Sequence, residues 1–487
     1  MTAKIMVITA YALMIIVIGI LGLRKTKSFS DFFLGGRNVG PIMTAFTYGT
    51  AYFSAVLFIG FAGKIGWGFG YSGLWIALGN ALVGVLGVWW FLGWRIKKMS
   101  VEYKVSTMGE YLEKRYRSRF LRFFGAVCIF VFLIPYSAAV FIGLSYLFRS
   151  NFNLEFTIAL GFMGIFTAIY LVLGGYKSMT MIDVIFGLIM IVGVVVLMVF
   201  TVDKGSGLAA MTADLKSIEP KLTAAVGPPG LWPLISLVVL TSLAPFAMPQ
   251  LIQKFYAVRD KKAIRIGMVA STLFAVLIGG SAYFIGSTTR LFLSPESAPR
   301  AFHEGRPVFD VLMPELLSKT IPHSLSVIIL LLILSASMST LAALVLISSS
   351  AVVKDLVAGF IKRDVADAAQ MRLMRWMSGF FILTSVVFAY FRPASIVAIL
   401  GISWGAIGAV FLGPFIWGLF TEWVTAAGAI GASMLGLAAC LGLYAAKVPS
   451  PEAGTVGMMI SLLFPPLLTW LFSVRGKTHP AEEHGLR

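Results

Sequence analysis

The sequence predicts an all-α polytopic membrane protein of about 13 transmembrane spans, ten of them forming an inverted repeat of two five-helix halves, with further helices flanking that core. Three observations carry the prediction. Hydrophobic residues make up 59% of the 487-residue chain and charged residues only 12%, more apolar area than a soluble surface can cover. Apolar segments of about 18 to 28 residues recur from end to end, each long enough to cross a hydrocarbon layer roughly 30 Å thick. Two of these segments are interrupted, and they lie five spans apart.

In chain order the segments are 4–23, 40–62, 70–94, 119–148, 156–175, 181–201, 230–252, 266–291, 325–352, 372–391, 394–420, 424–446 and 456–474. The first lacks a small-residue cleavage site followed by a polar region, so it reads as a retained anchor. In the second, TAFTYGTAYFSAVLFIG (44–60), Gly49 and a run of Thr, Tyr and Ser break an apolar helix. The seventh, LTSLAPFAMPQLIQ (240–253), carries Pro245 and Pro249 where intrahelical hydrogen bonds belong. Freed backbone groups at membrane depth need protein or a lined cavity to satisfy them. An odd spacing inverts the second break relative to the first, so spans two to six and seven to eleven pair as inverted halves, each opening with a broken helix. The expected organisation is a first helix and loop (1–39), one half (40–201), an external loop (202–229), the second half (230–420), then two more helices and a tail (421–487). A second external segment, 292–324, contains an amphipathic helix around Val308 to Leu317, read as a gate hairpin or a solvated connector.

The formal charge of +18 is spread over alternate loops rather than gathered in one patch with interleaved aromatics, which argues against nucleic acid as a partner. Loops 24–39, 95–118, 253–265 and 353–371 and the tail after 474, with the adjoining Arg119, Arg122, Arg372, Arg375 and Lys177, hold about 27 of the 39 Lys and Arg. The positive-inside rule places them in the cytoplasm. With an odd span count the N-terminus is then outside and the C-terminus cytoplasmic, in a multi-pass protein of the plasma (inner) membrane. Cys128 and Cys440 both fall within spans and read as packing residues.

The ninth span holds ILSASMSTLAALVLISSS (333–350), in which seven of eighteen residues carry hydroxyls. On a helix Ala336, Ser339 and Thr340 share one face. The Ala336 carbonyl and the two hydroxyls supply three neutral oxygens, and carbonyls freed near Thr50 and Phe53 supply two more. Five oxygens without a carboxylate suit sodium better than a divalent ion. Ser335, Ser337 and Ser348 to Ser350 read instead as hydroxyls bonded to a preceding carbonyl or packed between helices.

Four motifs, GGRNVGPIMTAFTYGTAYFSA (35–55), GGYKSMTMIDVIFG (174–187), PQLIQKFYAVRDKKAIRIG (249–267) and ASMSTLAALVLISSSAVVKDL (336–356), resemble in order and spacing those of the sodium:solute symporter family, over nearly the whole chain. The resemblance implies a leucine-transporter-like core. It also implies sodium as co-transported ion, held by carbonyls of Thr50, Phe53 and Ala336 and hydroxyls of Ser339 and Thr340. Asp183 matches an acid that the family places near the sodium exit route; an acid in the first turn of a helix is also favoured by the helix dipole. Tyr52 stands where proline-transporting members have an acid, Pro245 where they have an aromatic gate residue, and Phe186 where a glutamine often follows the Asp motif. These departures argue against proline as the solute and leave the five ligand positions intact.

The solute site expected between the two broken helices is lined by Tyr52, Ser54, Thr241, Ser242 and Phe246, with Asn80, Tyr136, Ser403 and Trp404 as further wall residues. No charged residue is expected at that depth, which disfavours dicarboxylates, phosphorylated sugars and polyamines. A small neutral, zwitterionic or monocarboxylate solute fits. Lys64, near the outer end of the broken helix, either attracts an anion or snorkels to the interface. A proton-coupled symporter is the nearest rival, but His303, His323, His479 and His484 all lie outside the spans. A sensor on a transporter-like scaffold is a third reading. An enzyme is not expected, since no loop combines a nucleophile with a base or clusters metal ligands, and no obligatory protein partner is evident.

Overall fold

The computed structural model describes residues 2–25, 28–322, 325–361 and 365–476; His323, His479, His484 and the charged tail lie outside these. Helices account for nearly all of the described chain, and the only sheet among those residues is a two-residue hairpin, Phe302–His303 against Arg306–Pro307.

Eleven helices among the described residues are long and apolar enough to cross a membrane. The thirteen segments read from sequence differ from this number at two places. The second and third share a helical run, Val56–Glu102, which breaks at Gly70 (φ 57°, ψ −138°). The fifth corresponds to a shorter apolar helix, Phe156–Ile169, separated from the sixth by Gly175 at φ 68°. A Cβ there would meet the Phe32 ring at 2.8 Å, so both the positive φ and the close packing require glycine.

The first broken helix runs Pro41–Tyr52, passes through Phe53 in an extended conformation (φ −109°, ψ 135°), and becomes helical again at Val56–Phe61 and Ala62–Phe69. The break therefore sits after Tyr52, not at Gly49. Gly49 is helical and packs on Phe274, 2.7 Å from where its Cβ would be. Ser54 restarts the helix: its hydroxyl accepts from the Val56 N–H at 3.2 Å and its carbonyl from the Leu57 N–H at 3.0 Å, meeting two of the donors that a helix start leaves open. The second broken helix runs Leu231–Leu243, narrows to a 3-10 turn at Ala244–Phe246, is extended at Met248, and resumes at Pro249–Ala257. Pro249 occupies the first helical position, where the missing N–H costs nothing.

Ser326–Ser350 is buried along nearly its whole length and packs against the first broken helix and the helix that contains Gly175. Between Lys261–Ser287 and Ser326–Ser350 the chain forms the connecting helix Phe309–Thr320, where the sequence placed its amphipathic element. At the opposite end of the molecule, Arg122 pairs with Glu113 (2.7 Å), Asp355 (3.2 Å) and Glu110 (3.5 Å), tying the helix Met108–Tyr116 to the end of the hydroxyl-rich helix. Cys128 and Cys440 are buried and free.

Candidate functional site

The hydroxyl-rich helix answers its own oddity residue by residue. The Ser337 hydroxyl donates to the Ile333 carbonyl and accepts from the Ala55 N–H; Ser350 donates to Ile347, Ser349 pairs with Ser378, and Ser335 with Tyr11. These hydroxyls do structural work, as expected of Ser in a membrane helix, whereas the Ser348 hydroxyl is buried without a hydrogen-bond partner.

Thr340 and Ser339 differ. The Thr340 Oγ1 lies 3.2 Å from the Ala51 carbonyl, 3.2 Å from that of Phe53 and 3.1 Å from that of Ala336. One hydroxyl proton cannot satisfy three carbonyls. Two of those carbonyls belong to the end of Pro41–Tyr52, where helical partners run out. The Ala336 carbonyl already accepts its own helix's N–H four residues on, but those of Ala51 and Phe53 share the one hydroxyl proton of Thr340. Four oxygens thus converge with fewer donors than acceptors, an environment that favours a small cation. Beside it, Ser339 Oγ donates to Thr50 Oγ1 at 2.8 Å, which donates in turn to the Phe46 carbonyl at 2.7 Å. The structure thus brings together Phe53, Ala336 and Thr340, with Ser339 and Thr50 adjoining. It adds the Ala51 carbonyl, where the sequence pointed to that of Thr50, whose hydroxyl is what meets Ser339 here.

Asp183 faces this region. It is completely buried, and both carboxylate oxygens lack a hydrogen-bond partner. The hydroxyls of Ser339, Thr47 and Thr50 stand near it without hydrogen bonds of ordinary geometry. Lys254, read from the sequence as part of a basic loop, is only 1% exposed, on a half-helix all nine of whose residues are buried.

A cavity of about 30 Å³ lies between the breaks, lined by Tyr52, Ser54, Asn80, Tyr136, Thr241 and Trp404 among the residues expected, and by Phe53, Val56, Leu57, Phe61, Tyr283 and Leu400 besides. This is room for a water or two, so a solute enters only when the walls part. Tyr52 spans the site by donating to the Thr241 carbonyl at 2.9 Å, joining the two broken helices. Trp404 meets the rings of Tyr52 and Tyr136 edge-on, at 6.3 and 5.8 Å. Asn80 Oδ1 and Trp404 Nε1 are buried without hydrogen-bond partners. Ser242, Phe246 and Ser403 do not line the cavity: Ser242 packs against Gly79 and Gly84, Phe246 against Gly87, and the Ser403 hydroxyl donates to the Phe132 carbonyl. Tyr283 was missed because an aromatic on a long apolar helix looks like ordinary core.

Toward the other side, the Lys64 Nζ lies 3.5 Å from Ser395 Oγ and 5.6 Å from the centre of the Phe309 ring. The adjacent Asp310 accepts from the Ile396 N–H at 3.1 Å. Lys64 is thus built into the protein rather than snorkelling. Burial pushes the Asp310 carboxyl up to about 6, against the pull of that N–H and of Lys64.

Two broken helices meeting at midmolecule, with an oxygen cluster at one break and a closed neutral cavity between them, are the construction of a secondary transporter. The model of the "Sodium:solute symporter family" matches residues 32–436, and the chain belongs to that family. It is 26% identical over 442 residues to the "Sodium/pantothenate symporter" of Escherichia coli (strain K12), covering 88% of each chain. It is 27% identical over 434 residues to the "High-affinity proline transporter PutP" of Bacillus subtilis (strain 168), covering 85% of this chain and 87% of the relative. Among solved structures, a Na+-coupled sialic acid symporter in a substrate-bound outward-open state aligns over 99% of both chains with a TM-score of 0.82 at 16% identity. A nucleobase-cation-symport-1 family transporter in a closed conformation aligns over 94% of this chain and 97% of its own, with a TM-score of 0.51 at 12% identity. The fold is the leucine-transporter-like one.

Proposed function

We propose that this chain is a sodium-coupled symporter that imports a small neutral, zwitterionic or monocarboxylate solute across the plasma membrane by alternating access. The observation that carries the reading is the oxygen cluster at Thr340, which joins a freed helix end to the hydroxyl-rich helix and has too few protons to satisfy itself. Sodium would be held there by the carbonyls of Ala51, Phe53 and Ala336 and the hydroxyl of Thr340, with Ser339 and Thr50 alongside. An ion that bridges two helices can couple its own binding to their relative position. In this reading 40–201 and 230–420 are the two repeats, and the N-terminus is external.

The solute class follows from the cavity. None of its lining residues is charged, so a fixed multiple charge would go uncompensated. Asn80 offers a buried acceptor without a hydrogen-bond partner, the Trp404 N–H lies beside Tyr136, and the neighbouring aromatic rings suit an apolar body. Proline and pantothenate, the solutes named for the relatives, each carry one carboxylate; sodium nearby would balance such a charge. Tyr52, where the resemblance puts an acid in proline-transporting members, argues against proline itself.

The test is uptake into proteoliposomes driven by an inward sodium gradient, with potassium replacement and a proton gradient alone as comparisons. Neutral sugars, zwitterionic amino acids and monocarboxylates should be tried beside succinate and spermidine. Sodium-driven uptake within the first three groups is expected. Preferential transport of succinate or spermidine would overturn the solute class, and uptake that follows protons without sodium would overturn the coupling.

A further inference from the structure

Lys254 and Asp183 present an electrostatic problem that the sodium site alone does not resolve. Both are buried to 1% exposure or less, and neither the Lys254 Nζ nor either Asp183 oxygen makes a hydrogen bond of ordinary geometry, the Ser339, Thr47 and Thr50 hydroxyls standing near the carboxylate. Among the described residues the two do not form an ion pair within 4.0 Å. Instead the ammonium lies 5.0 Å from the centre of the Tyr176 ring, a favourable seat for a cation that has left water. Tyr176 and Asp183 are seven residues apart on one helix. They therefore share a face at a separation of roughly 10 Å, which the flexible Lys254 side chain, already seated on the Tyr176 ring, can traverse in part.

A buried carboxylate needs a positive charge close by. Sodium bound at the Thr340 oxygen cluster, with Ser339 and Thr50 alongside, supplies one, and when it departs the carboxylate is left with whatever cation the protein provides. We propose that Lys254 is a tethered counter-cation for Asp183: its ammonium moves toward that carboxylate as sodium leaves, and withdraws to the face of Tyr176 as sodium binds. This rests on the sodium reading given above and adds a residue to it. The consequence is kinetic as well as thermodynamic. A positive charge competing for Asp183 weakens sodium binding and lets the ion go.

Sodium titration of the purified full-length protein, followed by intrinsic tryptophan fluorescence, tests this without any solute. Lys254→Gln should lower the half-saturating sodium concentration on the order of tenfold, as expected for removing one competing charge at an effective dielectric of about 20. Lys254→Arg, which keeps the charge, should stay near the wild-type value. In an Asp183→Asn background, Lys254→Gln should have no effect, because the carboxylate under competition is gone. Should Lys254→Gln alone fail to fold, the double variant Lys254→Gln with Asp183→Asn should recover folded protein, and failure to recover would overturn the pairing. An unchanged or higher half-saturation in Lys254→Gln, or an equal shift in both backgrounds, overturns the proposal and leaves the sodium reading standing. A wild type that binds no sodium overturns both.

Discussion

Thr340 carries one hydroxyl proton and lies within 3.2 Å of three carbonyl oxygens. Replacing it with alanine removes one ligand from the proposed ion and leaves the Ala51 and Phe53 carbonyls short of their shared donor. The expected loss is about 1 to 3 kcal/mol, so sodium activation of uptake in Thr340→Ala should need at least several-fold more sodium, while Thr340→Ser should remain close to wild type. Equal sodium dependence in all three proteins would return this hydroxyl to helix packing. Asp310 gives a second expectation at this scale. Its carboxyl is held at about 6 when folded against roughly 3.9 when unfolded, so the native state prefers the protonated form. The corresponding stability is fully present below about pH 4 and is lost as pH rises through 6, a swing of about 3 kcal/mol at most. Asp310→Asn should therefore raise the thermal midpoint at pH 8 and leave it little changed at pH 4; an equal shift at both values would contradict the assignment.

Among the elements, the broken helices were legible because Pro245, Pro249 and the Thr, Tyr and Ser run violate helix chemistry in plain view. Their breakpoints were less so. Gly49 looked like the interruption but serves packing against Phe274, while Phe53, an apolar residue with no turn signature, takes the extended conformation. Lys254 was misplaced for a related reason. In a sequence a short half-helix containing Gln and Lys resembles a loop, and only the surrounding helices make it interior. Close approach of helices yields a test of its own: a Cβ on Gly66 would lie 2.0 Å from the Gly286 backbone carbon. Rigid backbone cannot yield there, so Gly66→Ala should cost about 1 to 3 kcal/mol, seen as a lower unfolding midpoint of the purified protein. An unchanged midpoint would show that these helices are free to separate.

For the molecule as a whole, composition and span periodicity were enough to read a multi-pass membrane protein, because apolar length and basic loops are imposed by the bilayer itself, whereas the transporter reading needed the two interrupted helices and the family resemblance. The number of spans depends on turns at Gly70 and Gly175, where helical geometry continues almost without a gap. Reporter fusions after residues 38, 225 and 487 should read inside, outside and inside; an external signal at 487 would contradict an external N-terminus with an odd number of crossings. All of these expectations converge on one ion at one junction. Equilibrium binding of radiolabelled sodium to purified protein, in wild type and in the double variant Ser339→Ala with Thr340→Ala, measures that ion directly. Saturable sodium binding that the double variant weakens by at least tenfold is the result expected, and sodium binding that is absent from the wild type or identical in the variant would contradict it.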